Sequence, residues 1–237
     1  MNLKQQAAEF ALQYVKSGMF LGLGTGSTTA YFIQALGERL DAGTLQDVQA
    51  VPTSNGTVAK AKAAGIPLTT LADLYQQRKP PLLDLAVDGA DEVDPDLNVI
   101  KGLGRALLRE KIVEIQTEQF IVIVDESKIV PRLGTRGPLP VEITPFEAEA
   151  HVQWLSSLGC RAELWLEEDG SLVVTDNGNY LALLRFDGGI PNAHALALVL
   201  AERPGVVEHG LFLDMVSKVI VAGATGIRAI AADQISR

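Results

Sequence analysis

Leu3, Ala7, Phe10, Ala11, Tyr14 and Val15 recur at helical spacing, and Gly18 follows as a stop signal. The apolar run MFLGLG then predicts a strand, and the glycine- and hydroxyl-rich GTGSTT leads into a helix that starts near Thr28 and carries AYFIQALGERL. The same alternation repeats: VQAV predicts a strand, SNGT a turn, and VAKAKAAG a second helix. IPLTTL and LLDLAVDGAD come next, the latter an unbroken apolar run that ends in acids. After KGLG a third long helix is predicted through ALLREKIVEIQTE, and QFIVIVDESK supplies another buried strand. Strands that are apolar throughout and alternate with helices predict a parallel sheet covered on both faces.

The pattern changes between about Pro138 and about Leu213. VEIT reads as a short strand, and PFEAEAHVQWLSSLG as a helix with Pro near its start and Gly at its end. RAELWLEE and SLVVTD, joined by Asp169-Gly170, predict a hairpin. YLALLRF adds a strand, PNAHALALVLAERPG a helix, and VVEHGLFL a last strand before the buried run KVIVAG. That order matches a split βαβ module. The expected fold is therefore α/β. Residues 1–137 plus 214–237 form a parallel-sheet domain, and residues 138–213 form a smaller ferredoxin-like α+β domain.

Composition narrows the class. The 237 residues, 47% hydrophobic, suffice for a sizeable core. Twenty Lys+Arg against 29 Asp+Glu give a net charge of −9, which argues against nucleic acid or an anionic membrane as partner. A lone cysteine, Cys160, excludes an internal disulfide framework and suits a reducing compartment. The first residues are amphipathic rather than signal-like, and no stretch approaches a membrane span, so a cytoplasmic location is expected. His151, His194 and His209 lie far apart without metal-ligand spacing, and Cys160 reads as core.

Candidate chemistry gathers at strand ends. LGLGTGSTTA lacks the third glycine of a dinucleotide fingerprint and the lysine of a Walker loop. What it offers is a helix N-terminus where backbone N–H groups and the hydroxyls of Thr25, Ser27, Thr28 and Thr29 could hold one phosphate. A tight turn with an ordinary Ser/Thr cap is the alternative. DGADEVD places Asp88 and Asp91 at the carboxyl end of a central strand, where open α/β sheets bind ligands, and its spacing is not that of a calcium loop. A solvated polar turn is the competing reading, weakened by Lys101 in KGLGR, which is suited to holding negative charge. On the third helix Glu110 shares a sector with Leu103, Ala106, Leu107 and Val113, away from Arg109 and Lys111. A carboxylate buried there gains strength as a proton acceptor. Glu114 shares the sector, so spacing does not choose between them.

In order, GLGTGSTTAYFI, DGADEVD, KGLGRALLREKIV, DESK, LPVEI and TDNGN resemble the type A ribose-5-phosphate isomerase family over nearly the whole chain. The resemblance implies an aldose–ketose isomerase that interconverts D-ribose 5-phosphate and D-ribulose 5-phosphate with no metal and no organic cofactor. It also implies a homodimer or higher homo-oligomer whose partner is a small sugar phosphate. Carried over by motif, Thr25, Gly26, Ser27 and Thr28 bind substrate, as do Gly89, Ala90, Gly102, Leu103, Gly104 and Lys128. Glu110 becomes the general base, with Asp88, Asp91 and Lys101 as further catalytic residues. Where the family pattern has KGGG and a small residue, this chain has Leu103 and Arg105. Leu103 is expected to narrow the site, and Arg105 either contacts phosphate or points to solvent. Competing functions are a related sugar-phosphate isomerase, a coenzyme A transferase with a nucleophilic glutamate, and a non-enzymatic sugar-phosphate sensor. Acyl transfer to coenzyme A would mark the transferase, and binding without turnover the sensor.

Overall fold

The computed structural model describes residues 2–232. In chain order the elements begin α1 (Leu3–Ala11), a 3-10 turn (Leu12–Tyr14), β1 (Phe20–Leu23), α2 (Ser27–Asp41), β2 (Gln49–Pro52), α3 (Asn55–Ala63), α4 (Leu71–Tyr75) and β3 (Leu83–Asp88). They continue with β4 (Glu92–Val93), β5 (Val99–Ile100), α5 (Leu107–Glu114), β6 (Thr117–Asp125), a 3-10 turn (Glu126–Lys128), β7 (Leu139–Ile143) and α6 (Ala148–Ser156). The last are β8 (Arg161–Leu164), β9 (Tyr180–Arg185), α7 (Ala193–Ala201), β10 (Val206–His209), β11 (Leu211–Phe212), β12 (Lys218–Gly223) and β13 (Gly226–Ala231). The chain divides into two compact units. The first takes in the chain through Ala90, Arg109–Lys128 and the chain from Met215 onward; the second is Asp91–Leu108 and Ile129–Asp214.

The first unit is built on a six-stranded sheet in the order β13-β12-β6-β3-β1-β2. Its strands from β12 to β2 run parallel, as their unbroken apolar runs predict. On one face, Leu21, Leu23, Leu85, Val87, Ile121 and Ile123 pack with Phe32 and Leu36 of α2 and with Ala7, Ala8 and Ala11 of α1. The small alanine face lets α1 lie close to its neighbours, and the Asn2 side chain caps it by accepting from the Gln5 N–H. Each fully buried Leu or Phe contributes about 1.5–3 kcal/mol. On the other face Val113 packs with Val51, Leu74, Leu82 and Leu83. β13 joins the edge antiparallel to β12; the sequence reading contained no strand there, because GIRAIA is largely exposed and lacks a buried face.

The second unit contains a four-stranded antiparallel sheet in the order β10-β7-β9-β8. With α6 after its first strand and α7 after its third, this is the ferredoxin-like arrangement expected. Glu142 on β7 is fully buried, and one of its oxygens accepts from Thr175, Asn177 and Asn179 of the TDNGN stretch.

Further local features differ from the sequence reading. SLVVTD forms isolated bridges, Leu166 with Leu172 and Val174 with Tyr180, rather than a strand. VVEHGLFL breaks at Gly210 into β10 and β11, since a side chain at Gly210 would meet the Lys101 carbonyl at 2.2 Å. β11 then joins a three-stranded sheet, β11-β5-β4.

That small sheet also moves the boundary between units. It hydrogen-bonds 92–93 and 99–100 into the second unit, so Asp91–Leu108 and 129–137 lie there rather than in the larger domain. The Glu92 carboxylate fastens the latter stretch, accepting from the N–H groups of Gly134, Arg136 and Gly137 at 2.6, 2.7 and 2.8 Å. Residues 1 and 233–237, part of the expected larger domain, lie outside the described residues.

Candidate active site

From β1 the chain moves to β2 on one side and then to β3 on the other. The point between β1 and β3 is thus the topological switch of the sheet, where ligands of open α/β folds bind. Gly24 follows β1 there, and Asp88 ends β3. A Cβ at Gly24 would fall 1.8 Å from the Asp88 Cγ, so only glycine permits this approach. Asp88 is fully buried, and its Oδ1 accepts from the Thr25 N–H at 3.0 Å, the Thr29 hydroxyl at 2.9 Å and the Gly89 N–H at 2.6 Å.

This geometry separates the four hydroxyls that the sequence grouped together. Thr29 is committed to Asp88. The Thr25 hydroxyl lies 2.8, 2.8 and 3.1 Å from those of Thr53, Ser54 and Thr57, a cluster at the β2–α3 junction that sequence reading missed. Ser54 caps α3 and Thr57 donates to the Gly24 carbonyl, so this second junction braces the first. Ser27 and Thr28 remain as the hydroxyls at the start of α2, whose N-cap is Gly26 at φ 142°. Lys4 of α1 donates to the Ser27 hydroxyl at 2.9 Å and is a further cation that sequence reading missed. On an amphipathic helix it reads as a solvated charge.

Lys128 stands at the end of the DESK turn after β6, also on the carboxyl edge. Burial alone would raise the Asp125 carboxyl. The Ser127 hydroxyl and N–H, then the charges of Lys128 and Lys4, hold it below the ordinary value.

Gly22 decides how α5 lies: a Cβ there would meet Ala86 and Val113 at 2.9 Å, so the helix rests close on β1 and β3. One turn earlier Arg109 donates to the Asn55 side chain, at the first residue of α3, at 3.1 Å. Glu110 is thereby level with the loops of the carboxyl edge. Glu110 and Glu114 are both buried, 2% and 3% exposed, so burial does not separate them, but Glu114 lies a turn further along, beside Val113.

In the second unit the Asp91 carboxylate accepts from the Leu103 N–H at 2.9 Å, and the Asp91 N–H donates to Ile100. The Lys101 N–H donates to Gly210, and its ammonium lies 5.4 Å from the Phe212 ring centroid. Lys101 is 2% exposed, while Leu103 and Gly104 are exposed. The Arg105 guanidinium pairs with Glu167 and lies over the Trp165 ring, with its side chain still 40% exposed. Cys160 donates to the Leu155 carbonyl, and burial pushes its thiol up, away from nucleophilic use. Among the described residues, no three His, Cys, Asp or Glu side chains are grouped to hold a metal ion. No helix among them is long and apolar enough to cross a membrane.

A hydroxyl-lined helix N-terminus at a sheet's switch point, with Lys4 on Ser27, is the kind of place where α/β folds bind small anionic ligands. The family model for ribose 5-phosphate isomerase A (phosphoriboisomerase A) matches residues 49–226. The chain is 47% identical to ribose-5-phosphate isomerase A of Roseiflexus castenholzii, over 99% of this chain and 97% of that one. It is 46% identical to probable ribose-5-phosphate isomerase 2 of Arabidopsis thaliana, over 95% and 85%. A solved D-ribose-5-phosphate isomerase in complex with phospho-erythronic acid superposes with a TM-score of 0.90 at 41% identity, covering 98% of this chain and 100% of that one. The chain belongs to the ribose-5-phosphate isomerase A family, whose members interconvert ribose 5-phosphate and ribulose 5-phosphate.

Proposed function

We propose that this chain isomerises ribose 5-phosphate with Glu110 as the base, Lys101 as the electrostatic partner and the start of α2 as the phosphate anchor. The observation that carries the reading is the Gly24–Asp88 junction, which fixes Ser27, Thr28 and the α2 N-terminus at the switch point. Glu110 takes the C2 proton of the open-chain aldose and returns it to C1 on the same face. Negative charge grows on the O1 oxygen as the enediolate forms, and the Lys101 ammonium stabilises it while the O2 hydroxyl proton passes to O1, leaving the C2 carbonyl of the ketose. Asp88 or Asp91 assists ring opening by exchanging protons with the ring oxygen and the C1 hydroxyl. The phosphate, held by Ser27, Thr28, Lys4 and Lys128, supplies binding energy away from the reacting carbons. The phospho-erythronic acid held by the solved relative carries both a phosphate and an acid group. It is therefore a suitable competitive ligand for this site.

The direct test is turnover of ribose 5-phosphate, with Lys4→Met as the probe of the anchor. A charge-assisted hydrogen bond contributes about 1.5 kcal/mol, so the KM should rise about ten-fold with little change in kcat. Turnover of free ribose, far slower in the native protein, should be the same in both. An unchanged KM for ribose 5-phosphate would remove Lys4 from the anchor. Exhaustive chelation should leave activity intact, since Lys101 and backbone donors supply the electrostatic stabilisation. Loss of turnover restored by one particular divalent ion would overturn that.

A further inference from the structure

Arg105 sits in the left-handed region at φ 66°, directly after the exposed Leu103-Gly104 pair. A non-glycine residue there carries a conformational cost of about 1–2 kcal/mol. Something must offset it. The guanidinium makes a bidentate pair with Glu167, Nη1 to Oε1 at 2.5 Å and Nη2 to Oε2 at 2.9 Å. Its Cζ also lies 5.1 Å from the Trp165 ring centroid. Fork-on-fork pairing with stacking is a geometry that lysine cannot reproduce.

Both partners belong to a firm element. The Trp165 backbone N–H donates to the Leu181 carbonyl and its carbonyl accepts from the Val173 N–H, the Glu167 backbone N–H donates to the Ser171 carbonyl, and the tip turns on Gly170 at φ 83°. At the other end the Arg105 N–H donates to the Gly102 carbonyl at 2.9 Å, closing a turn over Gly102–Arg105. Before that turn is Lys101, and within it the Leu103 N–H holds the Asp91 carboxylate.

We propose that Arg105 is a positioning residue, clamped by Glu167 and Trp165, that fixes the Lys101–Gly104 turn for the isomerisation step. Arg105 is thus not a phosphate ligand. The proposal rests on the assignment of Lys101–Gly104 to the active site. If the turn loosens, Lys101 and the Leu103–Asp91 pair lose their alignment while the phosphate anchor, made of other residues, is untouched. The effect therefore falls on kcat rather than on KM.

The test is steady-state kinetics with ribose 5-phosphate on the full chain for Arg105→Gly, Arg105→Lys, Glu167→Gln and the exchanged pair Arg105→Glu/Glu167→Arg. Arg105→Gly removes the clamp and the backbone strain together, so its fold is safe. Glu167→Gln breaks the ion pair from a residue outside the site. Both should lower kcat about five- to ten-fold with KM within two-fold, since small misplacements of catalytic groups carry such costs. Arg105→Lys should fall between them and the native protein, and the exchanged pair should recover part of the loss. A raised KM at native kcat in Arg105→Gly, or native kinetics in Glu167→Gln, would overturn the clamp. Lys101→Met separates that outcome from failure of the site assignment. A native kcat in Lys101→Met shows that the turn is not in the site, and the clamp then has nothing to position. A large loss in Lys101→Met beside native Glu167→Gln overturns the clamp alone.

Discussion

Glu110→Gln should bind ribose 5-phosphate about as tightly as the native protein and exchange the C2 hydrogen with solvent about 10²–10⁴-fold more slowly. Glutamine keeps the size and the hydrogen-bonding capacity of a side chain that is 2% exposed, so packing changes little. It cannot accept a proton at neutral pH, and the phosphate anchor that sets affinity is made of other residues. Glu114→Gln is the control. Four residues separate the two carboxylates, about 6 Å along the helix axis. The Arg109–Asn55 hydrogen bond marks the Glu110 turn as the one at the carboxyl edge of the sheet, while Val113 marks the Glu114 turn as packed on β1. Binding is read by titration and exchange in deuterated water by loss of the C2 hydrogen signal. Native exchange in Glu110→Gln with impaired exchange in Glu114→Gln would show that the base is the other carboxylate.

How much of this was legible in the sequence depends on what each feature leaves in the residue pattern. The parallel strands were, because FIVIV and LLDLAV are buried on both faces and read as unbroken apolar runs. The Asp169-Gly170 turn was, because only a few residue pairs suit such a turn. β4, β5 and β11 were not: two-residue strands have no period, and β11 pairs with β5 across more than a hundred positions of the chain. With them went the placement of Asp91–Leu108, and so the understanding that Asp88 and Asp91, three residues apart, belong to different units.

The site shows the same division. The loop was visible as composition and Asp88 as a strand-end acid, but which hydroxyl faces where depends on partners that composition does not name. Ser54 and Thr57 read only as parts of a turn, yet with Thr53 they absorb the Thr25 hydroxyl. Arg105 shows the same dependence on distant partners. As a charge after a glycine loop it invited a role toward phosphate, and only the fold brings Glu167, sixty-two positions away, onto it.

Gly24→Ala should lower kcat/KM for ribose 5-phosphate about 10²-fold while the protein stays folded. The added methyl would lie 1.8 Å from the Asp88 Cγ and 2.0 Å from its Oδ1, so either the loop or the carboxylate must move. Asp88 has no room to yield, being fully buried and holding the Thr25 N–H, the Thr29 hydroxyl and the Gly89 N–H through one oxygen. The loop therefore lifts, and the start of α2 goes with it. Overpacking of this kind costs about 1–3 kcal/mol, less than the 5–15 kcal/mol of a typical domain. Displacing a binding or catalytic group by about 1 Å costs about 10²-fold in rate. Activity is accordingly far more sensitive than stability. Gly56→Ala is the matched control on the neighbouring helix, since a methyl there meets only the Ser54 Oγ at 3.7 Å. It should keep native kinetics and melt at or slightly above the native temperature. Thermal unfolding by circular dichroism and steady-state kinetics on the three proteins decide the matter. Native kcat/KM in Gly24→Ala would show that the contact between loop and carboxylate is dispensable, and the phosphate anchor would have to be sought elsewhere.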